Sequence, residues 1–215
     1  MKKINVILPM RAGSQRVIDK NIRIIKGKPL YEYILNTLFS SELVDKIIIN
    51  TDIQQVIDKY KDNPKIIVIE REEHLKGNCN MNSVIEDTIN KIEGDYFMQV
   101  HATNPLLSLE SIEKGIKKYF DNLNSNDSVF SVTKMQKRFW SIDGKPINHD
   151  PKAAPTTQDL EPWYEENSCF YIFSRDSFMK TKNRIGEKPL LVETRLTESV
   201  DIDEEDELKL VESLI

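Results

Sequence analysis

Short unbroken apolar runs alternate along this chain with longer stretches in which apolar residues recur every three or four positions. Ile4 to Met10 is a run of the first kind, rich in β-branched residues, and reads as a buried strand. Lys46 to Asn50, Ile66 to Ile69, Tyr96 to Val100 and Ser128 to Val132 read the same way. Between them, Leu30, Tyr33, Ile34, Thr37 and Leu38 share one helical face behind Pro29, a residue suited to a first helical turn. Val84, Ile85, Thr88, Ile89 and Ile92 form a second such face within Asn82 to Ile92, and Leu109 to Phe120 predicts a third helix. Asp52 stands where it would cap a helix after the second strand. Strand and helix in alternation, with strands apolar on both sides, predict an α/β fold of Rossmann-like type: a mainly parallel sheet with helices on both faces.

The alternation breaks between about Lys134 and Asn167. This stretch is polar, holds Pro146, Pro151, Pro155 and Pro162 and both tryptophans, and has no period. An aperiodic stretch this long marks a functional insertion or an interface element. Strand pattern resumes at Ser168 to Phe173, and an acidic segment, Asp201 to Glu207, leads into a last helix ending near Leu214. The 215 residues suit a single domain, 1–215, with 134–167 as its insertion. At 39% hydrophobic and 30% charged, the chain is globular rather than disordered. Thirty Lys and Arg against 35 Asp and Glu give a net charge of −5. That sign argues against a nucleic-acid partner, while leaving room for a small phosphate ligand held by a few local cations. Cys79, which follows a Gly77-Asn78 turn, and Cys169 are far apart and lack CxxC spacing. They exclude a disulfide scaffold and a zinc ribbon and fit a reducing cytoplasm. Lys2-Lys3 and the apolar run after it are too short for a secretory leader, and no run approaches the ~18 apolar residues of a membrane span. The expectation is a cytoplasmic protein with no membrane partner.

Ligands of open α/β sheets sit outside the carboxyl ends of the strands. The first strand ends in Pro9-Met10-Arg11-Ala12-Gly13-Ser14-Gln15-Arg16, continuing to Lys20-Asn21. A glycine-containing turn here can aim backbone N–H groups at an anion, with Arg11, Arg16 and Lys20 adding positive charge. It is neither a Walker loop nor GxGxxG, and it suits a solvated basic turn equally well. Near the other terminus stands Val200-Asp201-Ile202-Asp203. Side chains alternate in extended chain, so both carboxylates face one side. A hard cation such as Mg²⁺, which takes carboxylates together with substrate phosphates, would relieve their repulsion. The same acidic pair also suits a helix N-terminus. Phosphate loop and acidic pair on one sheet describe nucleoside triphosphate chemistry.

With those residues in place, the chain resembles the cytidylyltransferases typified by CMP-N-acetylneuraminate synthetase, with the CMP-Kdo synthetases as cousins. The family's opening "P-A-R-x-G-S-K-R-x-x-x-K-N" is matched by Pro9 to Arg16 and Lys20-Asn21, and "G-K-P-L" by Gly27 to Leu30. "S-T-D" appears as Asn50-Thr51-Asp52, "Q-P-T-S-P-L-R" as His101 to Leu107, and "I-D-I-D" as Val200 to Asp203. Arg71 follows the third strand and Asn167 precedes a late one, as the family requires. The resemblance implies a nucleotidyltransferase-type fold and transfer of CMP from CTP to the hydroxyl of a sialic-acid-like or other 2-keto sugar acid, with release of pyrophosphate. It implies a Mg²⁺ cofactor held by Asp201 and Asp203, in-line displacement without a covalent enzyme intermediate, and a homodimer joined through the insertion. Arg11, Ala12, Gly13, Ser14, Arg16, Lys20, Asn21, Arg71, Asn80 and Asn82 would hold the nucleotide. His101, Thr103, Asn104, Gln158 and Asn167 would face the acceptor, and Lys20, Arg11 and Asp201 would carry catalysis.

The departures from the family pattern concentrate on one side of the site. Gln15, Leu107 and Thr157 stand where the family places cations, and His101 where it places glutamine. These changes point to an acceptor other than ordinary N-acetylneuraminate. They also leave open a guanylyl- or uridylyltransferase on the same fold, and a catalytically silent nucleotide-binding subunit. His101 either contacts the acceptor or caps a strand end. His74 and His149 read as surface residues, Cys169 as core, and Trp140, Trp163 and Tyr164 as interface residues.

Overall fold

The computed structural model describes residues 2–77 and 79–215; Asn78 of the turn before Cys79 lies outside the described residues. In chain order, β1 (Ile4–Met10) runs into a long loop carrying a two-strand hairpin, β2 (Ile24–Ile25) and β3 (Lys28–Pro29), before α1 (Leu30–Phe39). There follow β4 (Val44–Thr51), α2 (Gln54–Tyr60), β5 (Ile66–Glu70) and α3 (Met81–Asn90). Next come β6 (Tyr96–Val100), α4 (Leu109–Asp121) and β7 (Ser128–Met135). The chain closes with β8 (Trp163–Ser174), α5 (Arg175–Thr181), β9 (Pro189–Glu193) and α6 (Glu205–Leu214).

Seven strands form one sheet in the order β5-β4-β1-β6-β8-β7-β9. The first four are parallel neighbours. β8 runs antiparallel to both β6 and β7, and β9 returns parallel to β7. β1 shows why its sequence is an unbroken apolar run. Val6, Leu8 and Met10 enter a core shared with Ile34 and Leu38 of α1 and Ile112 and Ile116 of α4. Ile7 points the other way, against Ile85 and Ile89 of α3 and Phe178 of α5. A strand covered on both faces has no side left for polar residues, and each such side chain contributes about 1.5–3 kcal/mol by burial. Helix α4 comes so close to β8 that a Cβ on Gly115 would lie 2.7 Å from the Phe170 ring, which is why glycine is tolerated mid-helix there.

The expected elements are present, and several readings are corrected. Asp52 does not cap α2; Ile53 occupies that position, and the Asp52 carboxylate turns to the loop after β1. The insertion is shorter than 134–167: Lys134 pairs with Tyr164 and Met135 with Trp163, so the β7–β8 ladder claims both ends and leaves 136–162 irregular. Within it lie one bridge, Trp140 to Pro146, and a single 3-10 turn, Thr157–Asp159. His149 is half-buried, edge-on to Trp140, rather than a free surface residue. α5 and β9 had no distinct pattern to announce them. α5 buries only Phe178, and β9 is a sheet-edge strand in which only Val192 is fully covered. No helix among the described residues is long and apolar enough to cross a membrane.

Candidate active site

β1 and β6 are neighbours, yet the chain leaves β1 to build β4 and β5 on one side before returning to lay β6 on the other. That reversal opens a crevice at the carboxyl ends of the strands. A cleft of about 760 Å³ lies there. Its first wall is the loop after β1. Asn21 closes the loop by donating its side-chain Nδ2 to the Arg11 carbonyl at 2.9 Å, and Gly13 bends it at φ +68°. Asp52 braces it from β4, its Oδ1 accepting from the Ala12 N–H at 2.6 Å. Arg11, Ser14, Arg16, Lys20 and Asn21 line the cleft as expected. Ala12 and Gly13 do not; they form the bend, and the Ala12 amide already serves Asp52.

The second wall is the acidic segment, and an apolar cluster joins it to the first. Val17, Ile25 and Leu30 pack with Ile202, Leu208 and Val211. Ile202 is fully buried in this cluster, and its N–H donates to the Thr103 carbonyl at 3.0 Å. With Ile202 turned inward, the side chains of Asp201 and Asp203 face the opposite way, and both line the cleft. Lys20 crosses to them: its Nζ donates to Asp203 Oδ1 at 3.0 Å and to the Ile202 carbonyl at 2.5 Å. Arg16 pairs with the same Asp203 oxygen at 2.8 Å. The helix-terminus role belongs to other residues. Glu204 caps α6 in a reciprocal box with Glu207, whose carboxylate also accepts from the Asp203 N–H at 2.7 Å. The Asp203 side chain is thereby left to the cleft.

One residue apart, the two aspartates titrate in opposite directions. Burial, reinforced by the charge of Asp203, raises the pKa of Asp201 above the usual carboxylate range, against the hydrogen bond from Thr103 and the charge of Lys20. Partial burial opposes ionisation of Asp203 too, but Lys20 and Arg16 outweigh it and the pKa falls. Asp201 Oδ1 is buried with no hydrogen-bond partner. A stripped carboxylate oxygen beside a second carboxylate fits a hard divalent cation. Among the described residues no group of three or more His, Cys, Asp or Glu could hold a metal, so further ligands would come from substrate phosphates and water.

Arg71 and His101 complete the floor. Arg71 is buried and held by Asn50, Nε to Oδ1 at 2.9 Å and Nη2 to the carbonyl at 3.0 Å. Burial lowers its pKa, partly offset by Asp52. His101 follows β6; burial, then the charges of Arg184 and Lys20, push its pKa down to about 3 against the pull of Asp203, so the ring is neutral at neutral pH. Thr103 and Asn80 also line the cleft, Asn80 as the cap of α3.

Besides Ala12 and Gly13, four of the expected site residues stand outside the cleft. Asn82 faces the loop after α5, where its Oδ1 accepts from the Arg184 N–H at 3.4 Å. Asn104 is fully buried and donates to the Val200 carbonyl at 3.3 Å, fastening the acidic segment. Asn167 lies inside the sheet, donating to Thr133 of β7 at 2.9 Å and to Thr194 at 2.8 Å. The residue after it, Ser168, takes φ +59°, the left-handed geometry that glycine suits best. Gln158 is exposed in the insertion. Leu107, in place of a family arginine, packs in the main core. Sequence reasoning also missed supporting residues. Glu198 is buried at the start of α4, accepting from Ser108 N–H at 3.2 Å, Ser111 Oγ at 2.7 Å and Arg195 N–H at 3.0 Å. Gln99 and Arg184 lie behind His101. Each is a lone polar residue with at least one partner distant in sequence, so no local pattern marks it.

Comparison with known proteins finds similar chains along nearly the whole length. A family model described as cytidylyltransferase matches residues 5–214. The CMP-N,N'-diacetyllegionaminic acid synthase of Legionella pneumophila is 27% identical over 227 residues, covering 99% of this chain and 96% of that protein. The post-translational flagellin modification protein B of Campylobacter coli is 26% identical, covering 100% of this chain and 96% of that one. Among solved structures, a CMP:2-keto-3-deoxy-manno-octonic acid synthetase complexed with CTP superposes with a TM-score of 0.72 at 16% identity, covering 99% of this chain and 98% of that one.

Proposed function

This chain belongs to the cytidylyltransferase family, and from that premise we propose that it moves CMP from CTP to the hydroxyl of a nine-carbon 2-keto sugar acid other than N-acetylneuraminate, releasing pyrophosphate. The observation that supports this reading is the meeting of the loop after β1 with Asp201 and Asp203 across one cleft, with Lys20 bridging them at 3.0 Å. In the proposed reaction the acceptor oxygen forms a bond to the α-phosphorus, the bond to the bridging oxygen of pyrophosphate breaks, and the hydroxyl proton passes to solvent water. The chain's own task is positioning and charge neutralisation. Arg11, Ser14 and Lys20 would bind the triphosphate, with Lys20 beside the charge that develops on the α-phosphate. Arg71 and Asn80 would face the nucleoside. Asp201 and Asp203 would hold Mg²⁺, which when bound neutralises triphosphate charge. The acceptor proposal rests on His101 in the cleft and Leu107 in the core, where the family has glutamine and arginine. The name of the Legionella relative, a synthase for a diacetylated acid, points the same way.

We further propose that residues 136–162 join two copies of the chain, because Trp140, Ile142 and Ile147 project from this stretch into solvent.

Pyrophosphate release measured with each of CTP, UTP, GTP and ATP against a panel of 2-keto sugar acids, with and without Mg²⁺, tests the proposal. Turnover confined to CTP with Mg²⁺, fastest with a nonulosonic acid other than N-acetylneuraminate, is expected. A preferred rate with N-acetylneuraminate would refute the acceptor assignment, and full activity in a chelator would refute the metal.

A further inference from the structure

Behind the cleft floor the Gln99 side chain lies between a histidine and an arginine. Its Oε1 accepts from Arg184 Nη1 at 2.7 Å, and its Nε2 lies 2.8 Å from His101 Nε2. Arg184 has donors only, so the oxygen of this amide must be the atom that faces it. The NH₂ group then faces His101, with its other hydrogen directed to the Val100 carbonyl at 3.1 Å. An NH₂ group cannot accept here, so His101 Nε2 must be the acceptor and the ring proton sits on Nδ1. Nδ1 has no partner among the described residues, and His101 lines the cleft. Arg184 is itself held firmly. Its guanidinium lies 3.6 Å from the centre of the Tyr171 ring and 4.0 Å from Glu166, which also accepts from the Tyr171 hydroxyl. Asn82 pins its backbone N–H.

We propose that Arg184, acting through Gln99, fixes His101 as a neutral Nδ1–H donor on the acceptor side of the cleft, and so sets which oxygen of the sugar acid the site can hold. Arg184 is a positioning residue. This deepens the acceptor reading above and rests on it. Protonating Nε2 would set an N–H against the amide N–H of Gln99. The charges of Arg184 and Lys20 oppose that step, and the charge of Asp203 favours it. A glutamine at position 101 could flip to donate or accept; a histidine locked in this way can only donate.

Nitrogen-15 NMR of the ligand-free protein, with the His101 signals assigned through His101→Gln, reads the tautomer directly. Wild type should show the proton on Nδ1 and no titration between pH 8 and 5. Gln99→Glu puts a carboxylate against both neighbours; it accepts from Arg184 and requires the His101 proton on Nε2, so the tautomer should invert. Arg184→Met and Gln99→Glu should raise the acceptor KM about tenfold, as loss of one oriented hydrogen bond does, with the CTP KM unchanged. Arg184→Lys should restore most of the loss. A wild-type proton on Nε2, titration near the ordinary histidine value, an unchanged tautomer in Gln99→Glu, or equal change in both KM values would overturn the proposal. The expected spectra without cytidylyl transfer to any sugar acid would sink the functional reading and leave the tautomer lock standing.

Discussion

In the half of the sheet built from β5, β4, β1 and β6, each strand is followed directly by a side chain that lines or braces the cleft. Arg11 follows β1, Asp52 follows β4, Arg71 follows β5 and His101 follows β6. In the half built from β8, β7 and β9, the polar residues reach the cleft indirectly or not at all. Arg184 acts through Gln99, and Asn167 ties strands together within the sheet. Parallel strands with both faces covered end at one common edge, so the residues just past them converge without further instruction. Antiparallel strands alternate direction, and their contribution to that edge depends on which partner each polar group finds across the ladder. On the proposed reading the first half and the acidic segment it faces would carry the chemistry, and the second half would hold them in place.

The largest effects that could break this contrast belong to the first half and the acidic segment it faces. Lys20→Met and Asp201→Ala should each lower turnover about 10²- to 10³-fold, the range for loss of one preorganised charge-stabilising group, measured as pyrophosphate release at saturating CTP. Near wild-type turnover in either would dissolve the assignment. On the other side, Asn167→Ala should leave both KM values alone. It strands two buried hydroxyls and should cost about 1–3 kcal/mol of stability, read from the urea midpoint. A raised acceptor KM without loss of stability would move Asn167 into the site.

His101 gives the contrast a pH signature. Its pKa falls to about 3 in the folded chain, below the ordinary value near 6.5. Between those values the unfolded chain binds the extra proton, so stability is fully present above about 6.5 and falls as pH drops. From pH 6.5 to 5 the loss should be about 2 kcal/mol, and His101→Gln should remove that part of the slope in denaturant titrations. The smallest effect is expected at exposed Gln158: Gln158→Ala should change stability by less than about 0.5 kcal/mol. A change in acceptor KM from that substitution, in an assembly of two copies, would bring the insertion to the partner's cleft.

Much of the first half was legible because its signals are local. Ile4–Met10 and Tyr96–Val100 match their predicted bounds, and Arg11, Lys20 and Arg71 sit where their place after strands put them. Asp52 shows the limit. Its position before a helix suggested a cap, but the adjacent loop offered the Ala12 N–H, and a charge-assisted hydrogen bond to that loop prevailed. Asn104 and Asn167 were assigned to the acceptor on position in a motif, and burial shows that their amides satisfy backbone and hydroxyl groups instead.

By itself the sequence determined the α/β class, the basic glycine-containing turn after the first strand and the one-sided pair of aspartates, because strand period and residue type are properties of neighbours in the chain. Only the tertiary structure decided that the pair meets the loop. That meeting depends on Val17 and Ile202 sharing one apolar cluster 185 positions apart, a burial that no window along the chain contains. The same holds for Arg184 behind His101: the direction of a hydrogen bond is set by what the far partner can give, and the far partner is chosen by the fold.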